Sequence, residues 1–529
     1  MLIKSNPEEI QSFLSDASHI LEGKAEGVVF PESSEEVADI LREASGNKTP
    51  VTVSGAGTGT VGGRIPFAGI VLATNKLNQI KSLVNDDLGG RAVSEPGVML
   101  SDFQRLVESK DIFYPPDPTE RNCFLGGTVA TNASGARTFK YGPTRNYVKR
   151  LKIVLATGDI IDLRRGELHA DSGGRINMPL PSGRVLQAQL PGYRMPQTRK
   201  HAAGYYVVPE MDVLDLFIGS EGTLGVITEV EVTLLPKTSG LLSGIVFFNS
   251  EENLLAFVSE ARSLSLANRR VTNAQVGKLG PLLEKAFEVS ARQTSPQVVD
   301  DHSPHKFLDA RALEYFDSES LNFLRQKYEA IPGEATGAIF FEQETTPETE
   351  DSLMNEWLSL LEKHHALNDD SWFATNEPDQ AKLREFRHSL PVLMNEWFAR
   401  HRQRKVSTDM SVPDEAFAEM LQFYQSTLRA SELRYTIFGH IGDNHVHVNI
   451  LPQNDDEGVK AREIYLQFLE RAAAVGGTLS AEHGIGKLKR DYLRLFFSEQ
   501  DLRQMVSLKL AFDPAGILGR GNIFSEDFL

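Results

Sequence analysis

Residues 51–65 read VTVSGAGTGTVGGRI, a β-type run that dissolves into glycines at 55, 57, 59 and 62. Gly57, Gly59 and Gly62 match the G-x-G-x-x-G spacing of a dinucleotide-binding turn, but that turn must open straight into a helix whose N-terminus meets the pyrophosphate. Here the chain runs through Arg64 and Pro66 into a second β-type run, AGIVLAT (68–74). A doubly wound nucleotide fold is therefore not expected. A dense glycine loop after a strand still has a use, because backbone N–H groups at 55–59 can close around a phosphate as an anion nest. The alternative is a tight turn and nothing more.

Around this loop, Gly27–Phe30, Ile70–Ala73 and Arg91–Ser94 are further short β-type runs punctuated by glycine, which imply a mixed α+β domain. Residues 164–203 are polar and irregular and read as a long loop or insertion. Beyond about Lys237 the texture changes. Helical periodicity over 251–267, 346–366, 378–400 and 413–430 alternates with strand-like GIVFF (244–248) and AIFFEQE (338–344). This predicts a second domain, 238–474, with an antiparallel sheet covered by helices. It follows a first domain, 1–237, in which 1–25 form an N-terminal extension. The last stretch, 475–529, is expected to return to the first domain.

At 529 residues the chain is long enough for two or more cores. Its 55 basic and 72 acidic residues leave a net charge of -17 with no lysine/arginine block, which argues against nucleic acid. There is no apolar run of membrane length and no signal-type apolar core at the start, so a cytoplasmic protein is expected, or one peripheral at a membrane through its redox partner. The single cysteine, Cys123, excludes an intrachain disulfide and a cysteine-held iron–sulfur cluster; in NCFLGGTVA it reads as a packed thiol.

Two further segments bring small residues and backbone amides together: PPDPTERNCFLGGTVATNASGARTFKY (115–141) and GSEGTLGVITE (219–229). In order they contain P-D-P (116–118), G-G-x-x-A-T-N-A-x-G (126–135), K-Y-G (140–142) and G-S-E-G-T-L-G-x-I-T (219–228). This set resembles the FAD-binding domain of the vanillyl-alcohol oxidase/p-cresol methylhydroxylase superfamily, and most closely its FAD-linked D-2-hydroxy-acid dehydrogenase branch (D-lactate, glycolate and D-2-hydroxyglutarate dehydrogenases). The resemblance implies a two-lobed FAD-binding domain plus a cap domain. It implies that Gly55, Ala56, Gly57, Thr58 and Gly59 hold the pyrophosphate. Pro116, Gly126, Gly127, Thr128, Asn132, Ser134, Gly135, Glu221, Gly222, Val226, Ile227 and, more loosely, Asn522 would line the cofactor. Some relatives tether FAD through a histidine in the glycine loop; Thr58 stands in a loop without one, so non-covalent FAD is expected.

Residues 435–451, YTIFGHIGDNHVHVNIL, read as a strand, a Gly-Asp-Asn turn and a second strand whose alternation puts His445, His447 and Asn449 on one face. A hairpin would return that face beside His440, and AEHGIG (481–486) could add a carboxylate. Two histidines and one carboxylate make an open, catalytic type of metal site; a satisfied polar pair in the core is the other reading. The resemblance assigns His440, His447 and Glu482 as ligands of a divalent metal (zinc, manganese or iron), Asn449 as a substrate contact and His483 as catalytic base. The family carries asparagine where His445 stands, which leaves His445 as an outer hydrogen-bond partner or an extra polar contact.

In LREFRHSLP (383–391) Arg387 matches the family's carboxylate-binding arginine, whose planar fork suits a carboxylate. Where 2-hydroxyglutarate relatives place a lysine, this chain has Ser407, with Lys405 two residues earlier, which favours a smaller acid such as D-lactate. The expected reaction is proton removal by His483 with hydride transfer to flavin N5, the electrons leaving to a carrier protein or quinone. The rivals are D-2-hydroxyglutarate or glycolate as substrate, a non-redox alkyl-transfer flavoenzyme, a metal hydrolase using only His440, His447 and Glu482, and a flavin bound without catalysis.

Overall fold

The computed structural model describes residues 2–86, 89–276 and 308–528. The glycine loop follows strand Val51–Ser54 and leads, without an intervening helix, to Ile70–Ala73, which pairs parallel with it. These two, Gly27–Phe30 and an antiparallel edge strand Leu2–Lys4 make a four-stranded sheet. Within the stretch expected as an N-terminal extension, Leu2–Lys4 thus forms the edge of a sheet. Helix Ser34–Asn47 covers it: Ser33 caps the N-terminus by accepting from Glu36 N, and Lys48 ends it in the left-handed region at φ 56°. Its buried Val37, Ile40 and Leu41 pack with Val51, Leu72, Ile517 and Leu518. The tail docks here, since Val51 N donates to Ile517 O and Gly519 N to Val51 O.

A second, antiparallel sheet runs Ile80–Asp86, Gly89–Ser94, Val226–Pro236, Val148–Val154, Ile160–Arg164, with Ile112–Phe113 joining the far end of its central strand. Residues 164–203 are not a structureless loop. They hold a hairpin, Arg175–Pro179 with Val185–Gln189, whose exposed–buried alternation is what the polar composition concealed.

The third sheet has seven antiparallel strands, in the order Trp372–Ala374, Gly240–Phe248, Gly337–Thr345, Ala310–Asp317, Tyr435–Gly439, His447–Ile450, Val406–Ser407. Apolar runs such as GIVFF are continuous because both faces are buried. Val246, Phe248, Ile339 and Phe341 face one core with helices Glu251–Val276 and Glu350–Lys363. Ile245, Phe247, Ala338 and Phe340 face another with helix Glu377–His401. Trp357 stacks on Phe341 at 4.3 Å and is fully buried; burying an aromatic of this size contributes about 3 kcal/mol. The edge of this sheet formed by Tyr435–Gly439, His447–Ile450 and Val406–Ser407 carries the site.

Candidate active site

Strands Tyr435–Gly439 and His447–Ile450 pair antiparallel, Phe438 opposite His447 and Thr436 opposite Asn449. A 3-10 turn at Ile441–Asp443, then Asn444 at φ 52°, swings the chain back so that His445 N donates to His440 O. From opposite sides, His440 Nε2 and His447 Nε2 each reach Glu482 Oε1 at 3.2 Å. Their other nitrogens are committed: His440 Nδ1 to Glu314 Oε1 at 2.6 Å, His447 Nδ1 to the carbonyl of Thr408 at 3.0 Å. Both imidazoles are thereby fixed with Nε2 inward, the outer support typical of metal-binding histidines.

The other oxygen of Glu482 accepts from Lys200 Nζ and Ser134 Oγ, both at 3.1 Å. Oε1 is left for the two histidines. Burial opposes ionisation of Glu482, yet Lys200 and His440 hold its carboxyl well below the usual range. Lys200 is itself buried and also donates to Gly135 O. Donor atoms of His440, His445, His447 and Glu482 all lie within 4.8 Å of one another, so these residues fit a divalent cation by number, type and convergence.

Asp409 holds the next residue in place. Fully buried, it accepts from Lys489 Nζ at 2.6 Å, from Ser480 Oγ, and from the backbone N–H groups of Glu482 and His483. Its Oδ2 stands 3.5 Å from His483 Nδ1, and His483 lies parallel to the His447 ring, 5.3 Å away. Burial pulls the His483 imidazole down to about 4 although Asp409 opposes this, so the ring is neutral at neutral pH. With Asp409 on the Nδ1 side, Nε2, 3.8 Å from Glu482 Oε1, is the atom able to take a proton.

Arg387 projects from helix Glu377–His401, and its Nε donates to Glu314 Oε2 at 3.0 Å. Glu314, on strand Ala310–Asp317, therefore joins the guanidinium to His440 through its two oxygens and sets their separation. Burial raises its pKa, but Arg387 and His440 outweigh that and bring it to about 2. Asn449 is fully buried and accepts from Ser407 Oγ at 2.9 Å.

A cavity runs from the glycine loop to this cluster. Gly55, Ala56, Gly57, Thr58, Gly59, Gly126, Gly127, Thr128, Ser134, Glu221, Gly222 and Ile227 border it, and so do Glu482 and His483 at its far end. No N–H from Ala56 to Gly59 donates to another backbone group among the described residues, which leaves them to the cavity as an anion nest requires. At Gly55, Gly59 and Gly127 a Cβ would meet no heavy atom within 4 Å. No protein neighbour demands glycine there, and the space left open admits a large flat cofactor with a pyrophosphate. Gly127→Leu, mid-helix in Leu125–Ala130, is expected to leave the apoprotein folded. It should weaken FAD binding about 10–100-fold, the scale of 1–3 kcal/mol for overpacking, as read by FAD titration.

Five of the residues named from sequence as cofactor-lining do not border the cavity, and neither do Arg387, Asn449, His440 and His447. Pro116 presents its carbonyl to Gln104 Nε2, Asn132 Oδ1 accepts from Arg145 N, and Val226 packs in the first core. Gly135 lets Asp117 O approach to 2.0 Å of where a Cβ would stand. Asn522 Nδ2 donates to Gly63 O and Glu221 O, steadying the loops from behind. The Glu221 carboxylate turns to the loop that carries Glu482 and His483, accepting from Ile485 N and Gly486 N at 2.7 and 2.6 Å. Glu314, Lys200 and Asp409 escaped the sequence reading. The signals available were a carboxylate inside the apolar run ARALEYF and an aspartate between Thr408 and Met410 on a strand's flank.

Residues 25–164 match the family model described as FAD binding domain, and residues 296–523 the model described as FAD linked oxidases, C-terminal domain. The chain is 29% identical over 517 residues to glycolate oxidase subunit GlcD of Bacillus subtilis (strain 168), covering 97% of this chain and 92% of that protein. It is 29% identical over 526 residues to a D-lactate dehydrogenase of Anaerostipes hadrus, covering 98% and 93%. To a D-2-hydroxyglutarate dehydrogenase of Stutzerimonas stutzeri it is 26% identical over 511 residues, covering 94% and 90%. Among solved structures, an alkyldihydroxyacetonephosphate synthase superposes with a TM-score of 0.62 at 14% identity, covering 98% of this chain and 82% of that one, which shows a shared fold.

Proposed function

The chain belongs to the FAD-linked oxidases, and on that footing we propose that it oxidises a small D-2-hydroxy acid, D-lactate favoured, to the 2-keto acid and passes the electrons to an external acceptor, a carrier protein or a quinone. The observation that carries this reading is the meeting of two inward-fixed imidazoles on one oxygen of Glu482, with His483 beside it, at the end of the cofactor cavity. When bound, FAD supplies the hydride acceptor, and a divalent ion at His440, His447 and Glu482 supplies a Lewis acid that lowers the pKa of a coordinated hydroxyl.

The protein's own groups do the rest. Arg387 binds the substrate carboxylate with its terminal nitrogens, since Nε is taken by Glu314. Asn449, steadied by Ser407, orients the acid over the sheet edge. His483 removes the hydroxyl proton at Nε2, with the Asp409 carboxylate 3.5 Å from Nδ1 on the other side of the ring. Non-covalent FAD follows from Thr58 standing in a loop without histidine. The relatives named for glycolate and D-2-hydroxyglutarate keep a second substrate reading alive. Ser407 at the place of the relatives' lysine, with Lys405 two residues earlier, weakens the dicarboxylate version of it. Among the described residues no helix is long and apolar enough to cross a membrane.

Dialysis against a chelator tests the metal half of the proposal. Activity with a dye acceptor is expected to vanish with FAD retained, and to return on adding back a divalent metal ion. Undiminished turnover by metal-free protein contradicts it.

A further inference from the structure

His445 is the residue of the cluster that the reading above leaves without work. It is fully buried, and neither ring nitrogen has a hydrogen-bond partner. Asp409 Oδ1 lies 3.3 Å from its Nε2 but off the line of a hydrogen bond. A buried imidazole left unsatisfied at both nitrogens is costly, and native structures retain such a group where it serves something beyond the fold. Its ring stands 4.6 Å from that of His447 and 5.5 Å from that of His440, centre to centre. A ring nitrogen of His445 falls within the same 4.8 Å set of donors as His440, His447 and Glu482. The chain is shaped to put it there: the left-handed Asn444 and the bond from His445 N to His440 O fold residue 445 back over residue 440.

We propose that His445 is a third imidazole ligand of the metal centre, completing a set of three histidines and one carboxylate. This rests on the metal reading of the site given above. The fourth donor changes which ion suits the chemistry. Zinc held by four protein donors is closed, as structural zinc sites are. An ion that prefers six-fold coordination, manganese(II) or iron(II), keeps two positions, the number that the carboxylate and hydroxyl oxygens of a 2-hydroxy acid require. Four protein donors thus suit a six-coordinate ion, with Asp409 Oδ1 3.3 Å from His445 Nε2.

The test uses full-length, FAD-loaded protein stripped of metal and titrated with manganese(II) against a coloured chelator, as wild type, His445→Asn and His445→Ala. X-ray absorption on the manganese-loaded wild type is expected to show three imidazoles on a six-coordinate ion, a result that needs no variant to fold. Both substitutions are expected to lower manganese affinity at least about 100-fold, the upper end of what losing an outer partner costs, with FAD content unchanged. Two imidazoles in the wild type, or equal affinity in wild type and His445→Asn, overturns the inference alone. Wild-type protein that takes up no divalent ion overturns both it and the metal reading beneath it.

Discussion

His483→Ala is expected to lower kcat by about 10²–10⁴-fold, the usual contribution of a positioned general base, with FAD content and metal content unchanged. The size follows from what the side chain does. Its ring is neutral, so it can accept a proton, and Nε2 lies 3.8 Å from the Glu482 oxygen on which His440 and His447 converge. The neighbouring lysines are already engaged, Lys200 with Glu482 and Lys489 with Asp409. The backbone of residue 483, held by Asp409 through its N–H, does not depend on the imidazole, so the loop should keep its place. Stopped-flow reduction of the flavin separates this step from cofactor loss. Normal reduction rates in the variant would remove His483 from the chemistry.

The second large effect is expected at Arg387. Arg387→Lys keeps a positive charge near Glu314 but loses the planar fork, and an ammonium cannot serve Glu314 and a bidentate carboxylate together. Losing one partner of a buried, hydrogen-bonded charge pair costs about 3 kcal/mol, so kcat/KM should fall on the order of 10²-fold. Most of that is expected in KM, because the carboxylate is bound in ground state and transition state alike. Because Glu314 also holds His440, metal affinity should drop modestly in the same variant, a coupling that a solvent-exposed arginine would not show. An unchanged KM for the acid would show that its carboxylate binds elsewhere.

The parts of the site that were legible in the sequence are those whose partners are close along the chain. His440 and His447 are joined by one hairpin, Glu482 and His483 are adjacent, and the glycine loop declares itself by composition and by the strand that follows it. Strand and helix texture beyond residue 237 was equally readable, since runs such as GIVFF and AIFFEQE become strands Gly240–Phe248 and Gly337–Thr345 buried on both faces. What stayed hidden was long-range. Glu314 lies 126 residues from the histidine it orients, and Lys200 lies 282 residues from Glu482. Neither carries a local pattern, because a buried ion pair is specified by the fold that joins its halves. The hairpin Arg175–Pro179/Val185–Gln189 was missed for another reason: it is short, polar on its open face and broken by Gly183, so its composition resembled a loop.

Hydroxy-acid oxidation at the flavin cavity is proposed to need a divalent ion held by His440, His447 and Glu482. Anaerobic mixing of the purified protein with a panel of D- and L-2-hydroxy acids, metal-loaded and metal-stripped, reads this directly through the flavin absorbance. The predicted result is rapid bleaching by a D-acid, D-lactate first among them, only in the metal-loaded protein. Absorbance that persists with every acid, as non-redox alkyl-transfer chemistry on this fold would give, or bleaching that ignores removal of the metal, would contradict it.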